Sequence, residues 1–361
     1  MSAARLINLY DLTREQLRLQ LVRWELNPVH VARLWNYLYI ELAASLDAMP
    51  ELPPKLRARL AAETQLGVLP TALETASSDG FTHKYLLALH DAEKIETVLM
   101  RFTGRVTACV SSQVGCAMGC VFCATGRLGL TRNLEAWEMV DALLQVRDEA
   151  PGRVGGVVFQ GQGEPFHNYD AVIRAAQVLS DPCGGRISAD AITISTVGLV
   201  PQIRRFAREG HRFRLIVSLT SALAEKRRSL LPVAGNFALE DLASALREYA
   251  AVAKGRVTVA WVVMAGVNTG VDEVEALGAL LGDLRLRVNL IDVNDPREGG
   301  FRRADPLELK AFLDRLGALQ VPLVRRYSGG SARHAACGML AAIHCNDAAA
   351  VDVVEPSSGA R

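Results

Sequence analysis

From Val106 onward the chain alternates short apolar runs with amphipathic stretches, and that alternation narrows the fold to one class. Val106–Ser111, Val154–Gln160, Ala191–Thr196, Phe213–Leu219, Val257–Met264, Val288–Val293 and Leu323–Tyr327 have the length and β-branched content of strands. Between them, Leu134–Val146, Tyr169–Leu179, Leu239–Ala253 and Pro306–Leu316 carry apolar residues at helical spacing. Strands linked through helices pair in parallel, so the reading is an α/β protein with a parallel sheet. About six such units make an incomplete barrel, a partial (β/α)6 arrangement. Barrels of this kind hold ligands on the loops that follow the carboxyl ends of their strands.

Directly after the first strand of the series comes Gly115-Cys116-Ala117-Met118-Gly119-Cys120-Val121-Phe122-Cys123, a CxxxCxxC at the mouth of the predicted barrel. An iron-sulfur cube that only carries electrons is usually held by four thiolates; three leave one iron open to a substrate. A structural zinc site needs four ligands, usually as two spaced pairs, and no second CxxC or matching His pair occurs in the sequence. Gly115, Gly119 and Gly126 around the cysteines fit a loop wrapped tightly on a bound group. Gly161-Gln162-Gly163-Glu164-Pro165, Ser195-Thr196-Val197-Gly198, Ser218-Leu219-Thr220 and Asp292-Val293-Asn294 occupy the same relative position on later strands, so all converge on one face. The first of these lacks the third glycine of a dinucleotide fingerprint, and no Walker loop is present.

Half of the 361 residues are hydrophobic, enough for a substantial core. The first residues mix charges among apolar positions, unlike a signal peptide, and no segment reaches bilayer length, so the expected location is the cytoplasm with no membrane contact. Seven cysteines without a secretory signal then point to metal or redox use. A net charge of +1 excludes a bulk polycation and restricts any nucleic-acid contact to local patches. Arg204, Arg205, Arg208, His211, Arg212 and Arg214, Lys226-Arg227-Arg228, Arg302-Arg303 and Arg325-Arg326 are the candidate runs, which together fit a polyanion groove.

Residues 11–65 carry helical periodicity, with Leu17, Leu21, Val31, Leu34, Trp35 and Leu38 on apolar faces and Pro53-Pro54 as a break. Residues 84–90 and 94–100 read as two strands joined by a turn at Asp91-Ala92. The expected organisation is a small helical domain over 1–83, a catalytic core with flanking strands over 84–345, and a tail over 346–361.

With these motifs in place, the chain resembles the radical SAM superfamily and, within it, the RlmN/Cfr family of RNA adenosine methyltransferases. The resemblance covers nearly the whole chain and rests on the cluster motif with Ala108-Cys109-Val110-Ser111-Ser112-Gln113-Val114-Gly115 before it, on Ile95-Glu96-Thr97-Val98, on the Gly-Glu-Pro turn, and on Ala335-Ala336-Cys337-Gly338. It implies a radical SAM barrel with a small N-terminal helical domain. Cys116, Cys120 and Cys123 would hold one 4Fe-4S cluster, and Glu164, Pro165, Ser195, Ser218, Leu219, Thr220 and Asn294 would contact S-adenosylmethionine. It also implies two cofactor molecules per turnover: one methylates Cys337, and the other yields the radical that activates the methylated sulfur. Glu96 would accept a proton from the base, and Cys109 would release the product by forming a disulfide with Cys337. The implied substrate is an adenosine in ribosomal or transfer RNA, modified at carbon 2 in preference to carbon 8, with an electron donor such as flavodoxin.

The chemistry suits those residue types. Carbon 2 of adenine lies between two ring nitrogens and is too electron-poor to attack an electrophilic methyl group, whereas a carbon radical borne on sulfur can add to it. The attacking thiols need thiolate character, which nearby positive charge favours, and Arg333 and His334 are near Cys337 in sequence. Taken singly, Glu96 reads as the polar side of a strand and the two extra cysteines as small buried hydrophobes. Cys183 and Cys345 match no family role and read as structural. Two stretches depart from the family pattern: Thr220 stands where histidine is usual, and Val293-Asn294-Asp295-Pro296 replaces a Trp-Asn-Pro-like sequence. Two other functions are open to the sequence: a radical methyltransferase acting on a peptide or small molecule, and a non-catalytic iron-sulfur or RNA-binding protein.

Overall fold

The computed structural model describes residues 6–326 except 78, 79, 103, 148, 149, 151, 254 and 296. Its N-terminal part runs β1 (Ile7–Asn8), α1 (Arg14–Arg23), α2 (His30–Tyr39), α3 (Pro54–Glu63) and β2 (Thr64–Gln65), with β1 and β2 paired in parallel. Helix α1 starts on a capping box between Thr13 and Gln16, and Pro54 begins α3 where its missing N–H costs nothing.

β3 (Thr71–Ala76), β4 (Thr82–Ala88) and β5 (Lys94–Phe102) form an antiparallel meander that leads into β6 (Arg105–Val110). The turn between β4 and β5 falls at the expected Asp91-Ala92, with Ala92 at φ 67°. β7 (Gln113–Cys116), α4 (Ala124–Leu128) and β8 (Gly129–Asn133) follow, and then helices and strands alternate: α5 (Ala136–Arg147), β9 (Val154–Phe159), α6 (Tyr169–Ser180), β10 (Ile192–Thr196), α7 (Val200–Glu209) and β11 (Arg214–Ser218). The series ends with α8 (Ala224–Leu230), α9 (Leu239–Val252), β12 (Val257–Val263), α10 (Val271–Leu281), β13 (Leu286–Asp292), α11 (Pro306–Gly317) and β14 (Leu323–Arg325).

The main sheet has ten strands in the order β14-β13-β12-β11-β10-β9-β6-β5-β4-β3. Every pairing from β6 to β14 is parallel, and each crossover contains at least one helix, as the alternation in sequence requires. The structure is thus the expected partial barrel, extended on its β6 side by the antiparallel strands. One continuous core runs from Leu17 and Trp35 in the N-terminal helices to Phe312 in α11. The N-terminal segment is joined to α5 by backbone-anchored bonds: Trp137 N donates to Asp11 Oδ1 at 2.9 Å, Arg147 Nη2 to the Tyr39 carbonyl at 3.0 Å, and Leu69 N to Asp141 Oδ2 at 2.6 Å. No helix among the described residues is long and apolar enough to cross a membrane.

Two features differ from the sequence reading. The cysteine run does not begin in a plain loop: Gln113–Cys116 is a strand, paired antiparallel with β8 in a separate two-stranded ribbon. Helices α7, α8 and α10 add to the helical segments read from the sequence: the seven residues of α8 are too few for a periodic signal, whereas Val200, Ile203, Phe206 and Ala207 on α7 and Val274, Leu277 and Leu281 on α10 do carry one.

Candidate active site

The ribbon is what aims the cysteines. Gly115 takes φ 76°, and a Cβ there would sit 2.1 Å from the Gly129 carbonyl oxygen, so only glycine lets β7 approach β8 this closely. The chain then turns through Met118 and Phe122 into α4, bringing Cys116, Cys120 and Cys123 to line one cleft. Gln160, Gly161, Gly163, Glu164, Ser195 and Ser218 line the same cleft from the ends of β9, β10 and β11. Carboxyl ends of parallel strands and the three thiols therefore meet, as the barrel geometry requires.

All three thiols are free, and burial dominates their electrostatics. It pushes Cys116 up to about 12 and raises Cys120 and Cys123 as well. Bare thiolates are thus disfavoured here and need a bound cation to offset their desolvation. Among the described residues no group of three His, Cys, Asp or Glu side chains is arranged to hold a single metal ion. Three cysteines lining one cleft are one fewer than the four ligands of a structural zinc site and match a 4Fe-4S cube with one open iron.

Glu164 fastens two strand ends together. It is buried and accepts from Phe166 N at 2.9 Å and Val197 N at 2.8 Å, while burial raises its carboxyl to about 7. Its own N–H donates to Gln113 Oε1 at 2.8 Å, which ties the turn after β9 to the cluster ribbon. Gly163, at φ 100°, leaves room for Gln113 where a Cβ would come within 2.6 Å of the Gln113 Cβ.

Ser195 and Ser218 face the cleft, whereas Pro165, Leu219, Thr220 and Asn294 do not line it directly. Leu219 and Thr220 are fully buried behind it. Thr220 takes φ 61°, a left-handed conformation unusual for a β-branched residue, and its Oγ1 has no hydrogen-bond partner. Asn268 holds this strained loop, donating to the Thr220 carbonyl at 2.7 Å and accepting from Met264 N at 2.9 Å. Asn294, at the end of β13, donates to the Asp292 carbonyl at 2.9 Å and accepts from Arg303.

Glu96 and Cys109 sit on adjacent strands. Val98 pairs with Cys109, so Glu96, two residues away, shares their face of the sheet. Glu96 is 1% exposed, and Lys84 Nζ, itself buried, donates to its Oε1 at 3.0 Å. Ser111 donates to the Glu96 carbonyl at 2.6 Å and accepts from Gln162 N at 2.9 Å, linking this strand to the turn before Glu164. Cys337, with Cys345, lies outside the described residues.

Gln113, Lys84 and Arg227 are the site residues that sequence reasoning missed. Arg227 was grouped with a surface run, yet it is 4% exposed and donates to the carbonyls of Val197, Ser218 and Leu219 beneath the cleft. Its position on the inward side of a seven-residue helix was the available signal.

A profile of the Radical SAM superfamily matches residues 110–277, the stretch containing the cysteine ribbon and most of the barrel. A "Probable dual-specificity RNA methyltransferase RlmN 2" from Opitutus terrae is 48% identical over 80% of this chain and 75% of its own length. The chain belongs to the RlmN family of radical SAM RNA methyltransferases. Within that family, the "Dual-specificity RNA methyltransferase RlmN 1" of Myxococcus xanthus is 43% identical over 93% of this chain and 94% of its own. The crystal structure of a radical SAM methyltransferase from Sphaerobacter thermophilus superposes with a TM-score of 0.87 at 40% identity, covering 93% of this chain and 99% of that one. Membership in the RlmN family implies a 4Fe-4S cluster and S-adenosylmethionine, and the three free cysteines lining one cleft with the strand ends fit both.

Proposed function

We propose that this enzyme methylates a base carbon of adenosine, carbon 2 in preference to carbon 8, in ribosomal RNA, transfer RNA or both, with Cys337 as methyl carrier. The observation that carries the reading is the placement of Glu96 and Cys109 on one face of adjacent strands, the second of which, β6, leads directly into the ribbon and turn that carry Cys116, Cys120 and Cys123.

Cys116, Cys120 and Cys123 would hold the cluster, with Glu164, Ser195 and Ser218 lining the cofactor's place and Pro165, Leu219, Thr220 and Asn294 shaping it from behind. When bound there, the cluster and two molecules of S-adenosylmethionine per turnover would supply the methyl group and a hydrogen-abstracting carbon radical, with the electron coming from a donor such as flavodoxin. Once the base is joined to the carrier on Cys337, Glu96 takes the proton from the modified carbon. Lys84 fixes the orientation of that carboxylate, a charge-assisted bond that water cannot compete for at this burial. The Cys109 thiolate then attacks the Cys337 sulfur; the sulfur–sulfur bond forms as the sulfur–carbon bond breaks, its electron pair leaves with the base, and the methylene carbon takes up a proton to become the methyl group. Both thiols are oxidised in that step and need reduction before the next turnover.

The cytoplasm, where thiols are kept reduced, suits that need. The helical segment before the barrel would help position folded RNA by shape. The test is mass spectrometry of nucleosides from the RNA of a deletion strain beside its parent. Loss of one methyladenosine isomer is expected; unchanged levels of every methyladenosine overturn the reading.

A further inference from the structure

The basic runs singled out in sequence do not form one groove. Arg204 pairs with Glu248, Arg205 with Asp170 and Glu209, Arg212 with Asp190, and Arg325 with Asp292, while Arg227 is buried. Arg214, from the first of those runs, instead comes together with two arginines of neighbouring strands that no run contains. Arg214 opens β11, Arg256 immediately precedes β12, and Arg287 is the second residue of β13, so all three sit at the amino ends of parallel strands. That pole is opposite the cysteine cleft. Arg287 is level with Thr258 in the β12–β13 register, and Thr258 is level with Ile216 across β11–β12, so Arg256 and Arg214, each two residues earlier, share the face of Arg287 one step nearer the barrel floor.

They line a cavity of ≈ 530 Å³, whose one acidic residue among the described lining residues, Asp190, is engaged by Arg212 at 2.8 Å. Arg214 and Arg256 are exposed, and the buried Nε of Arg287 has no hydrogen-bond partner. A buried donor left unsatisfied costs about 1–3 kcal/mol, so a guanidinium aimed into such a cavity is suited to an incoming acceptor. The positive charge continues outward, since β6, β9 and β13 also start at or just after an exposed arginine: Arg105, Arg153 and Arg285.

We propose that this amino-end pole is a second RNA-binding surface, which grips backbone phosphates of a folded substrate while the target base sits in the cysteine cleft. This rests on the RNA-methylating reading above. Guanidinium groups match phosphate in shape as well as charge, and phosphate contacts of this kind fix position without reading sequence. β12, seven residues long, separates the two poles by ~20 Å. A folded RNA offers phosphates to both poles at once, whereas a few nucleotides held in the cleft offer them to one.

The test compares full-length, anaerobically reconstituted wild type with the Arg214→Gln/Arg256→Gln/Arg287→Gln variant and its triple-lysine counterpart. Binding is measured over a salt series to an in vitro transcribed transfer RNA and to a six-nucleotide single strand carrying one adenosine. Formation of 5'-deoxyadenosine from S-adenosylmethionine reports an intact barrel and is expected to be equal in all three. For the transfer RNA, the glutamine variant is expected to bind roughly 10- to 100-fold more weakly, with the log–log salt slope reduced by about one per arginine. The lysine variant should keep most of the slope, and the hexamer should bind all three proteins alike. An unchanged salt slope for transfer RNA, or equal losses for both RNAs, overturns the second surface while leaving RNA methylation standing. A wild type that neither binds nor methylates RNA removes the RNA reading and this inference with it.

Discussion

Arg227 shows how one residue can support a site without touching its chemistry. Burial pulls its guanidinium down to about 10, with the nearby Cys120 working in the other direction, and its hydrogen-bond partners are carbonyls at the ends of β10 and β11. Replacing it with methionine leaves those carbonyls unpaired, at about 1–3 kcal/mol each when no water replaces the donor. Arg227→Met is therefore expected to unfold at lower urea, by at least about 2 kcal/mol, with lysine recovering part of the loss. A urea midpoint equal to wild type would show that the arginine is dispensable. For the cluster thiols, Cys123→Ala should abolish 5'-deoxyadenosine formation with dithionite and lower bound iron; equal yield and iron in both proteins would remove the cluster role. If Cys109 resolves the adduct as proposed, Cys109→Ala should accumulate protein joined covalently to RNA through Cys337. Denaturing electrophoresis and mass spectrometry under turnover check this, and finding only free RNA and free protein would dismiss it.

At the scale of elements, the ribbon of β7 and β8 and the docking of α5 are the two joints on which the site depends. An alanine at Gly115 needs both a left-handed backbone and space that the Gly129 carbonyl occupies. Gly115→Ala should spread the ribbon and cut iron incorporation several-fold while the rest of the barrel folds; iron analysis against circular dichroism separates the two effects. On α5, Asp141 accepts from Leu69 N, and burial raises its carboxyl from 3.8 to about 6. Between those values the folded chain holds a proton that the unfolded chain has released. This contribution to stability is thus fully present below about pH 4 and is lost as pH rises through 6, above which the ionised group costs on the order of 3 kcal/mol. Asp141→Asn lacks that titration. Wild type should lose stability relative to the variant between pH 4.5 and 8 in urea unfolding, and parallel profiles would contradict the assignment.

For the molecule as a whole, the helical segment and the barrel share one core. Removing residues 1–63 strips the partners of Trp137 N and Arg147 from α5 and uncovers apolar surface. The shortened chain is expected to bind a hydrophobic dye and to lose cooperative unfolding. A sharp thermal transition near that of the full chain would instead show an autonomous barrel. The same scale explains why the basic patches were misread. Runs such as Arg204-Arg205 stand out in sequence, yet carboxylates on their own helix and on the neighbouring helices α6 and α9 neutralise them. Arg214, Arg256 and Arg287, scattered over about seventy residues, become one surface only because three strands lie side by side in register.

By itself, the sequence determined the parallel α/β barrel, through the alternation of strand-length apolar runs with amphipathic helices, and the placement of Cys116, Cys120 and Cys123 at the carboxyl ends of its strands. Those are local properties: hydrophobic period and chain order decide them, and no distant contact is needed. Only the tertiary structure decided that Lys84 meets Glu96, that Gln113 ties the cysteine ribbon to Glu164, that Arg227 lies beneath the cleft, and that three unpaired arginines gather at the opposite pole. Each of these depends on which strands lie next to one another and in what register. Pairing between distant segments is set by burial of the whole core, and a periodicity read along one segment carries no information about it.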